Sequence, residues 1–270
     1  MDLPESVSRN LRSRDRWDSF STHRRRVSDW VNRLGTESGA VDSEMRLAVL
    51  GAGNLNDVDL HPLLQRFHQI TLLDWDRNAV VAGVERQAKV HEDLWPSDRI
   101  EIPPAIDLST HSSELQSLEP FQVIASVGLL SQMIERELAQ LAGLGVNDPV
   151  VISERLHHVR TRHFEIIDRM LSPEGTALLT TEFVSSDTLP GLAQVPEEQL
   201  APVLRDAMLA GNFFSGMQPA SVLDSARQVF QAGHRRIEPG TPWLWDFGPR
   251  TYAVVPYFIL PPRRSISPRH

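Results

Sequence analysis

Cysteine is absent from this 270-residue chain, and lysine occurs only once, at Lys89. The absence of cysteine excludes disulfides, cysteine-ligated zinc, iron–sulfur clusters and a thiol nucleophile. A single lysine leaves almost no room for Schiff-base chemistry. Arginine supplies the other positively charged side chains, and we interpret this excess as a bias in amino-acid usage rather than as a sign of a functional site.

Net positive charge and long apolar runs are also lacking. The 27 basic residues are outnumbered by 35 acidic ones, and the resulting net charge of −8 argues against binding of the nucleic-acid backbone as the main function. No segment reaches the ~18 apolar residues of a membrane span. The N-terminal stretch has no apolar centre of the kind found in a secretory signal. We therefore expect a bacterial, cytoplasmic protein that binds neither nucleic acid nor membrane.

Short apolar runs alternate with segments of helical period along most of the chain. The runs are Arg46–Leu50, Gln69–Leu73, Ile100–Ile106, Phe121–Val127 and Thr176–Val184, and two more lie near Trp243–Phe247 and Thr251–Leu260. Strands that alternate with helices are typical of an α/β fold. The pattern predicts a single seven-stranded, mainly parallel sheet with helices on both faces.

The domain organisation follows from where this alternation begins and breaks. Residues 1–44 are predicted to form an N-terminal helical cap, and residues 45–260 the α/β domain. An insertion of about 186–240 interrupts the alternation with one or two polar-faced helices. Residues 261–270 are predicted to be a flexible tail.

The first apolar run ends abruptly in Gly51-Ala52-Gly53-Asn54, and a helix is expected to follow. Glycines let the backbone turn sharply and approach a ligand closely, and N–H groups near the helix start then face a polar or anionic group. Asp74 ends the second run, 21 residues after Gly53, which is about the offset of a carboxylate that accepts both hydroxyls of a ribose. The alternative is that the glycines only form a turn and Asp74 caps a helix.

Further polar and aromatic residues end the same strand or its neighbours. Trp75 follows Asp74 and is suited to lie against a flat base, Asp107 ends the third run, and Ser126 and Val127 end the fourth. Open α/β sheets bind ligands at this edge. The sequence therefore favours a nucleoside-cofactor site there.

The identity of the cofactor depends on the glycine pattern. A dinucleotide fingerprint requires a third glycine where this chain has Asn56, and no Gly-Lys-Ser/Thr of a P-loop occurs. The whole arrangement, from about Arg46 to Leu260, instead resembles the class I S-adenosylmethionine-dependent methyltransferases. The motifs that carry this resemblance are LAVLGAGN, LLDWD, AIDLS, FQVIASVGLL and MLSPEGTALLTTEFV.

The resemblance implies a Rossmann-like fold, S-adenosylmethionine as cofactor, and methyl transfer to a small-molecule acceptor, natural products included. It also implies a set of binding residues. These are Gly51, Ala52, Gly53 and Asn54 around the methionine part, Asp74 on the ribose, Trp75, Asp107 and Leu108 beside the adenine, and Ser126 and Val127 closing the site.

Three positions depart from the family's pattern. Val49 stands where an acid usually precedes the first glycine, Leu55 where a third glycine is usual, and Gln122 where an aspartate usually enters the fourth strand. The loop before Pro62 is longer than usual and carries Asp57. We hypothesise that Asp57 supplies the missing anion for the ammonium group of the cofactor. The alternative is that Asp57 caps the following helix.

Residues that contact the acceptor are expected beyond the fourth and fifth strands. Ser131 and Gln132 either contact the substrate or cap a helix. His157 and Glu182 are candidates for a catalytic base, against the alternative that both face elsewhere. Trp245 either packs between elements or forms part of an aromatic wall, which would suit a flat or cationic substrate.

No metal is expected, because HExxH is absent and the spacing of His157 and His163 is poor for shared ligation. His163 lies on the apolar face of its helix and is predicted to be a hydrogen-bonded core histidine.

At the N-terminus, residues 1–16 are predicted to be loosely packed. A helix with Trp17, Phe20 and Trp30 on its apolar face is predicted to stop at Gly35. The resemblance implies that this helix closes over the cofactor.

Two other function classes remain open. One is a nicotinamide-dependent oxidoreductase, which the missing third glycine and the Pro-Glu-Gly turn before the fifth strand argue against. The other is a non-catalytic binding protein that keeps the methyltransferase fold, which the altered first motif leaves open. The sequence does not specify the acceptor atom or the oligomeric state, with a homodimer among the possibilities.

Overall fold

The computed structural model describes residues 5–37, 45–91, 97–109, 115, 117–118, 120–232 and 235–262. The helices are α1 (Glu5–Ser13), α2 (Ser21–Glu37), α3 (Leu60–Arg66), α4 (Arg77–Val90), α5 (Leu129–Gly143), α6 (Pro149–Met170), α7 (Glu197–Leu209) and α8 (Pro219–Ala232). The strands are β1 (Arg46–Leu50), β2 (Gln69–Leu73), β3 (Ile100–Glu101), β4 (Phe121–Val127), β5 (Leu171–Ser185), β6 (Arg236–Pro239), β7 (Trp243–Asp246) and β8 (Thr251–Leu260). Most of the tail predicted to be flexible, from residue 263 on, lies outside the described residues.

The sheet has the order β3-β2-β1-β4-β5-β8-β6, and β7 also pairs with β8. Strands β1 to β5 pair in parallel, whereas β8 runs antiparallel to β5, β6 and β7. The α/β prediction is therefore confirmed, and the sheet is mixed rather than purely parallel. In the described part of the chain, β8 is the one reversed strand.

The sheet has eight described strands rather than the predicted seven, because β6 and β7 share one edge of β8. Strand β6 pairs with the end of β8 and β7 with its start. The break between them falls at Gly240 and Pro242, and proline cannot donate to a strand ladder. A β-carbon at Gly240 would stand 2.4 Å from Cε2 of Phe258, so the chain there lies flat against β8.

Two other strands differ in length from the prediction. Strand β3 ends at Glu101 rather than at Ile106, because Pro103 and Pro104 lack the N–H groups that would continue the pairing. Strand β5 begins at Leu171 instead of Thr176 and includes the Pro-Glu-Gly turn. Its register against β4 shifts between Phe121 and Val123, which accommodates the turn.

Side chains of the central strands alternate between two core clusters, as expected for a sheet covered on both faces. Ala48 and Leu50 of β1 join the cluster beneath α5, α6 and α8. Leu47 and Val49 join the cluster beneath α2, α3 and α4. A third cluster connects the end of β5 to α7 within the predicted insertion.

The N-terminal segment differs most from its prediction. Residues 5–13 form helix α1 rather than a loosely packed stretch, and α2 runs through Gly35 to Glu37. A β-carbon at Gly35 would lie 3.1 Å from both Met45 Cε and Phe67 Cζ. Gly35 is thus a packing contact inside a helix and not a stop signal.

Two further findings concern helices. Helix α5 was indicated only by the alternative that Ser131 and Gln132 cap a helix, although Leu130, Ile134 and Leu141 give it a buried apolar face. No helix in the described part of the chain is long and apolar enough to cross a bilayer.

A close contact between α4 and the glycine loop gives the first prediction. A β-carbon at Gly83 would lie 2.6 Å from the backbone oxygen of Asn54. Alanine normally stabilises a helix interior by about 0.5–1 kcal/mol relative to glycine. Here an overlap that only backbone movement can relieve should cost about 1–3 kcal/mol. We therefore expect Gly83→Ala to lower the free energy of unfolding, measured in urea, by about 1 kcal/mol or more.

Gly143→Ala is the matched control. It also changes a helical glycine, at the end of α5, but nothing lies within 4 Å of its added β-carbon. This variant should keep or slightly increase the stability of the protein. Equal stabilities for the two variants would contradict the close packing of α4 on the loop.

Candidate functional site

A cavity of about 660 Å³ opens at the carboxyl ends of the parallel strands. Its floor includes Gly51 and Gly53, which follow β1, and Val127 and Gly128, which end and follow β4. Strands β1 and β4 are neighbours at the point where the strand order reverses, which is where open α/β sheets bind ligands. The volume lies within the range of about 300–1,000 Å³ that is typical of small-molecule sites.

The glycine loop is built around the carboxylate of Asp74. Gly51 and Gly53 have φ values of 72° and 47°, a left-handed conformation that favours glycine. The backbone N–H of Gly53 donates to Asp74 Oδ2 at 2.8 Å, and that of Asp76 donates to Oδ1 at 2.7 Å. Burial raises the pKa of Asp74, although these hydrogen bonds oppose the shift. Each oxygen keeps a further lone pair for a hydroxyl donor from the cavity.

The long loop after Gly53 carries Asp57 to the cavity. Helix α3 begins only at Leu60, and its cap is Asp59, whose Oδ1 accepts from the N–H of His61 at 3.2 Å. The capping role that was the alternative for Asp57 therefore belongs to Asp59. Asp57 lines the cavity, and its Oδ1 lies 3.3 Å from Nε2 of His23.

The hydrogen bonds of His23 indicate which of its ring nitrogens accepts and which donates. The indole N–H of Trp243 donates to His23 Nδ1 at 3.2 Å. An indole nitrogen can only donate, so Nδ1 carries a lone pair and the proton of the neutral ring sits on Nε2, facing Asp57. His23 thus orients the carboxylate of Asp57.

Sequence reasoning missed His23. The one available signal was its helical spacing, three residues after Phe20 and four before Val27, on the face that packs inward. Its ring is almost fully buried and stacks on that of Trp245 with 4.6 Å between centroids.

Glu182 of β5 faces the cavity beside the start of α5. Its Oε1 would stand 3.0 Å from a β-carbon at Gly128, and its backbone N–H donates to Ser131 Oγ at 3.4 Å. Burial raises the pKa of Glu182, a hydrogen bond with the Ser131 side chain and the nearby His23 lower it, and the negative charge of Asp57 raises it slightly. A carboxyl group in this setting holds a proton more readily than one in water.

The other predicted acceptor-side residues divide in two. Ser131, Gln132 and Trp245 line the cavity together with Glu182. His157 does not line it, and its Nδ1 lies 3.2 Å from the hydroxyl of a serine on α8, Ser225.

Several predicted cofactor-side residues lie behind or beside the cavity. Ala52 and Leu108 are buried in the two core clusters, and Trp75 is 48% exposed. Asp107 accepts from both the N–H and the hydroxyl of Ser109. The segment that carries Asp107 adjoins the end of β2, since the N–H of Ile106 donates to the backbone oxygen of Asp74 at 3.1 Å.

Helix α1 covers the glycine loop. The side chain of Asn54 donates to the backbone oxygen of Asn10 and to the hydroxyl of Ser13, and Asn10 Nδ2 donates to Asp76 at 3.2 Å. At the other side of the cavity, Arg9 pairs with Glu135 of α5 at 2.8 Å. The segment that covers the loop is therefore α1, which precedes α2 in the chain. The helix that contains Trp30, for which the sequence predicts this role, is α2.

No cluster of three metal-binding side chains occurs among the residues that the structure describes.

Comparisons with known proteins give structural likenesses only. No family model matches the chain, and no curated protein matches it. One similar solved structure is an S-adenosylmethionine-dependent methyltransferase from Clostridium acetobutylicum, with 10% identity, a TM-score of 0.47, and coverage of 88% of this chain and 92% of that one. Another is a precorrin-6y C5,15-methyltransferase from Geobacter metallireducens, with 10% identity, a TM-score of 0.43, and coverage of 86% and 88%. Both TM-scores lie below 0.5, so neither likeness by itself assigns a function to this chain.

A buried histidine beneath the cavity floor, His163, leads to a prediction about how the stability of the protein depends on pH. His163 of α6 is fully buried, its Nε2 lies 2.9 Å from Ser126 Oγ, and burial lowers its pKa to about 4. In the unfolded chain a histidine binds a proton below about pH 6.5, whereas folded His163 stays neutral. Stability is therefore lost as the pH falls from about 6.5 towards 4, by about 2 kcal/mol at pH 5 relative to pH 8.

His163→Gln should flatten this part of the pH dependence, because glutamine keeps a polar partner for Ser126 and does not titrate. Urea unfolding between pH 5 and pH 8 measures the effect. His158→Gln on the exposed side of the same helix should keep the slope of the parent protein. A parent slope retained by His163→Gln would show that another group causes the acid sensitivity.

Proposed function

We propose that this protein binds S-adenosylmethionine in the cavity between β1 and β4 and transfers its methyl group to a small-molecule acceptor. The observation that carries the proposal is a set of three carboxyl groups in a cavity at the site where such sheets bind nucleosides. Asp57, Asp74 and Glu182 all line it, and none forms an ion pair with an arginine or lysine within the described ranges. A cofactor with an ammonium and a sulfonium group suits that lining.

The same lining argues against a nicotinamide dinucleotide. A pyrophosphate carries two negative charges and normally lies at the N-terminus of the helix that directly follows the glycines. Here that helix begins seven residues after Gly53, and Asp59 already caps it. A dinucleotide would meet Asp57 where it needs N–H donors.

The residues present fit S-adenosylmethionine. Asp74 is suited to the ribose hydroxyls and Asp57 to the ammonium group. β-Carbons at Gly51 and Gly53 would come within 3.1 Å of Leu129 Cδ1 and 3.0 Å of Asn10 Oδ1, so larger residues at either position would crowd the side chains that border the loop. When bound, the cofactor supplies an electrophilic methyl group. The task of the protein is then to orient the acceptor and to remove its proton.

Calorimetric titration with S-adenosylmethionine, S-adenosylhomocysteine and NAD⁺ tests the assignment. We expect the first two to bind and NAD⁺ to give no heat of binding. Binding of NAD⁺ alone would overturn the proposal in favour of an oxidoreductase. Binding of both adenosyl compounds, without methyl transfer to any member of a broad panel of small nucleophiles, would instead support a non-catalytic binding protein.

The two loop aspartates give a matched pair of variants. Asp57→Ala should weaken S-adenosylmethionine binding by about 1–3 kcal/mol, the range for losing a hydrogen bond to a charged group. Asp74→Ala should do the same through the ribose. Asp59→Ala is the control, because it removes a cap worth about 1 kcal/mol of stability but not a cavity residue. Unchanged affinity in Asp57→Ala would exclude that residue as the partner of the ammonium group.

A further inference from the structure

Four aromatic rings form one wall of the cavity, called here the aromatic wall: Phe20, Trp245, Phe247 and Tyr252. The ring centroid of Trp245 lies 4.8 Å from that of Phe20, 5.3 Å from that of Phe247 and 5.4 Å from that of Tyr252. His23 backs the wall by stacking on Trp245. A wall of this kind presents apolar ring faces that attract flat groups and cations.

Strand register brings Glu182 to the same face of the sheet as the wall. Glu182 of β5 pairs with Val254 of β8, and Trp245 of β7 pairs with Tyr252 of β8. Val254 and Tyr252 are two residues apart, so their side chains and those of their partners share a face, about 7 Å apart along the strand. A carboxylate therefore stands beside an aromatic surface.

Four arginines line the cavity; three of them are already engaged, and the fourth, Arg12 of α1, is exposed to solvent. Arg9 pairs with Glu135, and Arg250 pairs with Asp187 at 2.6 Å. The guanidinium of Arg16 lies 5.0 Å from the centroid of Phe247, and its Nη1 donates to the backbone oxygen of the same residue. Glu182, by contrast, has a serine hydroxyl as its partner and forms no ion pair with an arginine or lysine of the described chain, although the nearby His23 lowers its pKa.

We propose that the methyl acceptor is a primary or secondary amine with a flat apolar body, bound as its ammonium form between Glu182 and the aromatic wall. The proposal rests on the function proposed above and names its substrate class. One N–H proton passes to a carboxylate oxygen of Glu182, which becomes a neutral carboxylic acid. The nitrogen keeps the electron pair of that N–H bond as a lone pair, which would form the new bond to the methyl carbon while the methyl–sulfur bond breaks, its electron pair stays on sulfur, and S-adenosylhomocysteine leaves.

The electrostatics of the site favour an amine over an oxygen acid. A phenolate or carboxylate acceptor would bring a second negative charge close to Glu182 and Asp57. An ammonium group has the opposite charge, and an amine becomes reactive by losing a proton to neutrality. The raised pKa of Glu182 helps it to hold that proton.

Three probes of one shape and different charge test the proposal: benzylamine, benzyl alcohol and benzoate. Each is titrated by ligand-observed NMR into the full chain, with and without saturating S-adenosylhomocysteine. We expect benzylamine to bind at least tenfold more tightly than benzyl alcohol, and benzoate to bind most weakly. Benzoate binding as tightly as benzylamine, or more so, would overturn the proposal.

Variants distinguish the contribution of the Glu182 charge to probe binding from that of the aromatic wall. Glu182→Gln should weaken benzylamine binding at least tenfold and leave the affinity for benzyl alcohol unchanged. Trp245→Leu should weaken both. Glu198→Gln, an exposed change of the same kind outside the cavity, should weaken neither. Equal loss of both probes in Glu182→Gln, or no loss of benzylamine, would contradict the assigned role.

The titration of S-adenosylhomocysteine in the same samples distinguishes the two proposals. Binding of S-adenosylhomocysteine without selective binding of benzylamine rejects the amine acceptor and leaves the cofactor assignment intact. Selective binding of benzylamine without binding of S-adenosylhomocysteine supports the amine site and rejects the cofactor.

Discussion

The buried side-chain amide of Gln87 holds the loop on which the cavity depends. Its Nε2 donates to the backbone oxygens of Leu55 and Val58, and its Oε1 accepts from the N–H of Leu60. Each of these backbone groups, left buried and unpaired, would cost about 1–3 kcal/mol. One side chain of α4 thus allows a long irregular loop to stay buried. The positions of Asp57 and of the floor of the cavity follow from it.

The hydrogen bonds of Gln87 also explain how the chain tolerates Leu55 at the position where the motif that it resembles has a glycine. Leu55 has a φ of 56°, the left-handed conformation that a glycine would adopt there, and it is fully buried. The strain of about 1–2 kcal/mol is offset by burial of the side chain, worth about 1.5–3 kcal/mol, and by the bond from Gln87. The glycine loop thus keeps a left-handed backbone conformation at position 55 although the residue there is leucine. Val49, at the position of the usual acid, faces the core, so the acidic groups of the cavity come from other elements.

Strands and turns that follow from neighbouring residues in the sequence could be predicted. Roles that depend on contacts between residues far apart in the sequence could not. The bounds of β1, β2 and β4 follow from apolar runs, and the glycine loop from its composition. Helix α1 escaped prediction because polar contacts with the loop hold it rather than an apolar stripe. The role of His23 depends on Trp243, 220 residues away. The arginine excess was also misjudged in part, since Arg24 and Arg86 stack against Trp17 and donate to the loop.

The two N-terminal helices differ in how strongly they are held. Helix α2 buries Val27, Val31 and Leu34 in the core, and each contributes about 1.5–3 kcal/mol. None of the side chains described for α1, those of residues 7–13, belongs to a core cluster, and Leu11 is 54% exposed. The hydrogen bonds of α1 to the loop are each worth only about 0.5–1.5 kcal/mol net, because water replaces them when they break. Separating α1 from the loop would therefore cost far less free energy than separating α2 from the core, so the cover of the glycine loop is held more weakly than the floor of the cavity.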